Sequence, residues 1–205
     1  MKIMIKPFQY LTLIGLLFIL NACSKNSQKA NIKPAETPNK SWVLLPEYSS
    51  ISIITTKNNS VSEVSNFTAF SGNIKPDGQL SISIDLNSLE THIPIRNERI
   101  QKHLFKTEIY QTADIHTQLK PNDFTVGIHN ISFDVDLHGL SALLEAEFMV
   151  FEQYGNKVVT LHRPLIITAG TFGLENGITT LKNIARLDSI NLTVPVNITL
   201  TFEAQ

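Results

Sequence analysis

The 205-residue chain has a single cysteine, which excludes an intrachain disulfide and any cysteine-rich zinc or iron–sulfur site. Basic residues number 17 against 18 acidic ones, so no broad basic face is available for nucleic acid. Charged residues are scarce at 17%, below the ~25% of ordinary globular chains. Hydrophobic residues reach 42%, enough to build a core. No serine stands in G-x-S-x-G, no H-E-x-x-H occurs, and no glycine-rich phosphate loop is present. No internal repeat is visible. The apolar run Leu11–Leu20, interrupted only by Thr12, is too short to span a bilayer, which takes ~20 apolar residues.

That run has another use. Lys2 and Lys6 precede it and no acid does, the layout of a secretory signal. Leu20-Asn21-Ala22-Cys23 resembles a bacterial lipobox, with leucine at −3 and a small residue before the cysteine. The resemblance implies cleavage before Cys23 and acylation of its sulfur and new amine, as by palmitate. Several buried acyl chains, at ~0.8 kcal/mol per CH₂, make such an anchor nearly permanent. Ser24, where an aspartate commonly signals inner-membrane retention, implies the periplasmic face of the outer membrane. Loss of Lys2 and Lys6 moves the net charge from −1 to −3. Residues 24–40 carry four lysines, two prolines and no aromatic, the composition of a tether. The expected organisation is a lipoprotein signal peptide at 1–22, lipidated Cys23 and tether at 23–40, and one folded domain at 41–205.

The folded part alternates apolar and polar residues with period two. Leu80, Ile82, Ile84 and Leu86 share one face, as do Ile131, Phe133, Val135 and Leu137. Leu192, Val194, Val196, Ile198, Leu200 and Phe202 form the longest such set, with Pro195 on its outward parity. Each reads as a half-buried antiparallel strand. Rougher candidates span 50–56, 64–74, 113–119, 143–151 and 157–168, making about eight strands. Turn residues separate them: Pro76-Asp77-Gly78, Pro121-Asn122-Asp123, His138-Gly139 and Tyr154-Gly155-Asn156. Residues 96–105 and 178–185 carry helical spacing instead, which predicts a crossing helix and a short second helix. Eight such strands hide a face best by closing, so the expected fold is all-β, an antiparallel eight-stranded barrel with two helices. A barrel of this size is filled by its own side chains or holds one small ligand.

Catalytic signals are thin. The six histidines, His92, His103, His116, His129, His138 and His162, are scattered, and a zinc site needs three or four converging ligands. Asp134 and Asp136 share the wet face of one strand, where solvation is the plainer reading. The expectation is no enzyme, no cofactor and no metal. Arg96 and Arg99 flank the expected cavity mouth, placed for a pyrophosphate or for an ordinary surface ion pair.

An ordered series of short motifs resembles the YceI-like family, the secreted polyisoprenoid-binding proteins of bacteria. Trp42, Pro46 and Ser49-Ser50-Ile51 resemble its opening W-x-x-x-P-x-x-S-x-(I/V). Val64, Phe67, Phe70, Gly72 and Ile74 follow its spacing around F-x-x-F-x-G-x-I. Asp85, Ser88, Thr91 and Arg96 resemble I-D-x-x-S-I-x-T and the later arginine. Leu104-Phe105, Leu137-His138-Gly139 and Phe172-Gly173-Leu174 complete the series. Tyr48, Asn66, Asn97 and Thr112-Ala113 depart from the family pattern, which bears on head-group contacts more than on the barrel. The resemblance implies a lipocalin-like barrel holding an isoprenoid or quinone-like lipid, for storage, shielding or transport. Parity then favours Phe70, Leu80, Ile82, Ile84, Phe133, Val135, Phe148, Val194, Val196 and Ile198 as apolar interior candidates, with Arg96 and Arg99 for a head group. Phe67 and Phe70, three apart, both face inward only if a bulge lies near 66–69. The competing expectation is a stress-response or interaction module with a filled barrel near a membrane partner. A homodimer is left open.

Overall fold

The computed structural model describes residues 40–205. The signal-peptide, Cys23 and tether assignments lie outside them, Lys40 excepted. Strand segments β1 (Trp42–Leu44), β2 (Ser50–Lys57), β3 (Val61–Phe67), β4 (Phe70–Ile74), β5 (Gln79–Asp85) and β6 (Leu89–Glu90) come first. A crossing helix α1 (Pro94–Ile100) runs on into a π-helical turn, Gln101–Phe105. Then follow β7 (Thr112–Gln118), β8 (Gly127–Leu137), β9 (Leu140–Gln153), β10 (Asn156–Leu161) and β11 (Leu165–Thr168). Helix α2 (Glu175–Ile184) and the long β12 (Thr193–Ala204) end the chain.

These segments make eight barrel strands, because four strands are each broken once. β1 and β2 both pair with β12, β3 and β4 continue one another, β5 runs on into β6, and β10 and β11 both pair with β12. All pairings are antiparallel. The ring closes where β12 meets β1 and β2, whose other edges hold β4 and β3. A closed ring leaves no backbone edge to recruit another chain.

The breaks have local causes. Pro46 starts a 3-10 turn between β1 and β2, and Pro164 stands between β10 and β11. The β12–β2 ladder starts at Val196, one residue after Pro195, so proline's missing N–H costs no bond there. Thr68 and Ala69 form the third break, between β3 and β4, and across it Phe67 and Phe70 both face inward, Phe67 onto the cavity and Phe70 into the core. Such interruptions bend a strand and flare a barrel. Two hairpin turns use a positive-φ pair ending in glycine. His138-Gly139 joins β8 to β9 and Tyr154-Gly155 joins β9 to β10. Primed two-residue turns of this kind match the twist of the strands they join.

The parity reading holds through the long strands. Ile131, Phe133 and Val135 are buried between exposed Ser132 and Asp134, and Val196, Ile198, Leu200 and Phe202 are buried along β12. Thr201 is the exception. Its parity is outward, yet the 3-10 turn covers it: Leu45 N–H donates to its carbonyl, Thr201 Oγ1 donates to the Tyr48 carbonyl, and Ser49 Oγ accepts from its N–H at 2.9 Å.

The two helices cover one end of the barrel. They touch where α2 places Gly177 against the π turn. A Cβ at Gly177 would stand 2.7 Å from the His103 carbonyl oxygen and 2.9 Å from Leu104 Cα. Among the described residues no helix is long and apolar enough to cross a membrane.

Candidate ligand-binding cavity

The barrel is hollow at the helix end and nearly filled at the other. The main chamber has a volume of about 640 Å³. Its walls come from β2, β3, β5, β6, β7, β8, β11 and β12, and its roof from the inner faces of the helices, including Ile100, Leu104, Ile178 and Leu181. A smaller chamber of about 70 Å³ lies beyond it. Below that, Phe124 packs edge-on against Trp42 at 5.3 Å and against Phe202 at 5.7 Å, closing the floor. Lys157 seals this end. Its ammonium sits 4.9 Å from the Phe124 ring centre and 5.6 Å from that of Trp42, and donates to the Phe124 carbonyl. Burial pushes its pKa down from the usual lysine value.

The candidates from sequence parity divide among the two chambers and the core. Ile84, Val135, Val194 and Val196 line the main chamber, Leu80, Ile82 and Phe148 the small one, and Phe133 and Ile198 both. Phe70 lines neither. It is buried in the core beside its β5 partner Ile84, so its inward direction leads to packing rather than to the cavity.

The mouth is polar where β2 and β3 meet α1. Ile51, Ile53, Thr55 and Lys57 point inward along β2, and Lys57 ends that row at the rim. Glu63, opposite Thr55 on β3, accepts from Lys57 and from both terminal nitrogens of Arg96, at 2.9 and 3.3 Å. Arg99 lies exposed on the same helix face. The charged residues lining the main chamber are thus Lys57, Arg96 and Arg99, and one carboxylate is shared between two of them. Lysine at the end of an inward-facing row was a readable signal that the sequence analysis passed over. Exposed Ile93, Ile95 and Ile184 complete the rim.

The Lys57 hydrogen bond, helped by the charges of Lys57 and Arg96, holds the Glu63 carboxyl below its ordinary value of 4.5, against burial, the next largest effect, which raises it. A carboxyl whose pKa is lowered in the folded state stabilises above the unfolded value and loses that contribution as pH falls through the folded one. The three side chains are 19–34% exposed, so the cluster is worth only about 0.5–1 kcal/mol. Glu63→Gln is expected to lower Tm by ~1–4 °C at neutral pH. That gap should close on acidification below 4.5, in paired thermal melts of the two proteins.

Other motif residues are structural. Asn97 Oδ1 accepts from the Thr91 N–H at 3.0 Å and hydroxyl at 2.6 Å, pinning the start of α1. Asp85 accepts from the Asn87 N–H at 2.8 Å, and Ser88 donates to the Asp85 carbonyl at 2.7 Å, shaping the β5–β6 break. Burial depresses the pKa of His138, which packs on Tyr110 at 4.5 Å in the β8–β9 turn. Among the described residues no three histidine, cysteine or acidic side chains converge as a metal set.

Residues 42–202 match the YceI-like domain. The chain belongs to the YceI-like family. Three solved structures show the same fold. A polyisoprenoid binding domain from Saccharophagus degradans, implicated in plant cell wall breakdown, is 32% identical over 80% of this chain and 98% of its own, with a TM-score of 0.75. BcnA of Burkholderia cenocepacia is 16% identical over 77% and 98%, with a TM-score of 0.63. The Campylobacter jejuni YCEI protein is 13% identical over 69% and 84%, with a TM-score of 0.52. No curated protein matches the chain. In this YceI-like domain some residues that carry the family motifs hold the barrel's breaks and turns, while others, among them Ile51, Phe67, Leu104, Phe105, Leu137 and Leu174, line the main chamber.

Proposed function

We propose that this chain is an envelope lipoprotein that holds an isoprenoid or quinone-like lipid in its barrel and stores, shields or carries it. The observation behind this reading is the 640 Å³ chamber, apolar over most of its wall and with its cations at the mouth. Cavities of ~300–1,000 Å³ with few polar groups are typical small-molecule sites. Burial of hydrocarbon there is worth ~25 cal/mol per Å², which needs no directional contact. The Saccharophagus degradans relative, a polyisoprenoid binding domain 32% identical, supports an apolar chain as cargo. The chamber also argues against the competing filled-barrel module, since only the far end is filled. Arg96, Arg99 and Lys57 would face a head group at the rim. An acylated Cys23 would hold the domain at the periplasmic face of the outer membrane through the tether.

Organic extraction and mass spectrometry of the chain purified from its host without added lipid test the cargo. The expected result is one isoprenoid or quinone-like molecule per chain, and native mass of the loaded protein separates monomer from homodimer. Consistently empty protein, even after exposure to host membranes, would overturn the carrier reading. The same sample tests the anchor: the mature N-terminal peptide is expected to begin at Cys23 and carry acyl mass. A free thiol at Cys23 would remove the lipoprotein assignment.

A further inference from the structure

The two chambers are separated by one ring of side chains. Ile51, Ile115, Phe133 and Ile198 line both, and they come from β2, β7, β8 and β12 respectively. Their placement follows the barrel order. Ile51 and Ile198 are directly paired across β2 and β12. β7 and β8 are neighbours on the opposite wall, half the circumference away. Two pairs of side chains therefore face one another across the bore and form a waist. Toward the mouth the next inward residues, Ile53, Ala113, Val135 and Val196, line only the main chamber. Toward the floor Thr117, Ile131 and Leu200 line only the small one.

Phe133 is the largest member of the waist. It is buried and held edge-on by Phe148, with ring centres 5.9 Å apart and planes at 64°. Phe148 lines the small chamber alone, so this pair stands as a stop below the main chamber. A hydrocarbon chain entering beneath the helices has nowhere else to go.

We infer that Phe133, with the waist around it, sets the length of chain the protein accepts. The inference rests on the lipid-binding reading above and adds a limit to it. A dry cavity of about 150 Å³ takes one benzene, so the main chamber holds roughly four such groups, or ~25 carbons, about five isoprene units. The small chamber, at about 70 Å³, takes less than one benzene-sized group. A chain that stops at the waist is sheathed along its whole length. A longer one leaves its excess in water at the mouth, or must displace the Phe133 ring from Phe148.

The test presents the full chain with an equimolar series of all-trans prenols from farnesol to decaprenol and measures by mass spectrometry which lengths it retains. The wild type is expected to retain prenols up to a cut-off near five units, with a steep fall beyond it. Phe133→Leu opens the waist, and Ile198→Val opens it from the opposite wall. Each should move the cut-off longer by at most one isoprene unit, because on the same scale the small chamber adds ~3 carbons and the trimmed side chain a few more. Thermal melts establish that both variants are folded. An unchanged cut-off in two folded variants overturns the role of Phe133. Retention without any length limit in the wild type overturns the stop while leaving lipid binding standing. A wild type that retains no prenol of any length overturns the lipid-binding reading, and the stop with it.

Discussion

Ile84→Trp is expected to abolish lipid loading while leaving the barrel folded. Ile84 sits on β5 between Phe70 and the small Ala113, and its side chain faces the main chamber. In a filled core, an enlarged side chain costs about 1–3 kcal/mol in strain and displaced neighbours. Here the indole projects into empty volume, so the destabilisation should stay under ~1 kcal/mol, a Tm change of only ~2–4 °C. The same indole occupies the path of any chain passing from the helices toward the waist. Extracted lipid should fall to background, measured by mass spectrometry on equal amounts of folded protein. Unchanged loading would show that the cargo lies elsewhere. A full overpacking penalty with no lipid in either protein would show that the chamber is closed in solution.

Phe202→Ala carries the largest expected loss of stability. Phe202 is 1% exposed, on the stretch of β12 that pairs with Leu44 of β1 and Lys157 of β10. Its ring meets Phe124 edge-on and lines the small chamber. Truncation removes the transfer energy of a phenyl group and leaves a void that the closed barrel cannot collapse into, together about 3–5 kcal/mol. For a domain of this size the fall in Tm is roughly 10 °C. Leu143, 71% exposed on β9, is the control. Leu143→Ala should stay within ~0.5 kcal/mol. Denaturant melts of the three proteins decide it, and a Phe202→Ala midpoint equal to wild type would mean that the floor of the barrel is not a packed core.

The barrel divides into three zones that obey different rules. Substitutions near the floor should act on stability, because the rings there pack against one another around only a small void. Substitutions above the waist should act on ligand, because their side chains face a void. Mouth residues form a third group. Glu63, Lys57 and Arg96 are partly exposed, and their contribution is small and pH-dependent.

Period-two alternation was sufficient to find the long strands, since a strand with one dry face writes that face into every second residue. It gave β12 almost whole and β8 from Ile131 onward, and the helical spacing of Ile178, Leu181 and Ile184 marked α2 for the same reason. The breaks were harder to read. Residues 64–74 look like one run, yet Thr68 and Ala69 divide it, and residues 157–168 divide around Pro164. Alternation does not record a two-residue slip until partner strands are known. Candidate interior positions came from parity alone. Parity reports which way a side chain points but not what stands opposite, which is why Phe70 pointed inward and met only core.

The sequence by itself therefore determined the antiparallel strands, their number and their apolar faces, because those are properties of neighbouring residues on one chain segment. Whether the enclosed space is filled was decided only by the tertiary structure. A void is set by side chains from several strands and two helices converging across the bore, and the same isoleucines and valines would serve either outcome. The polar rim has the same origin. Lys57, Glu63 and Arg96 come from three separate segments, and only closure of the barrel beneath α1 brings their charges together.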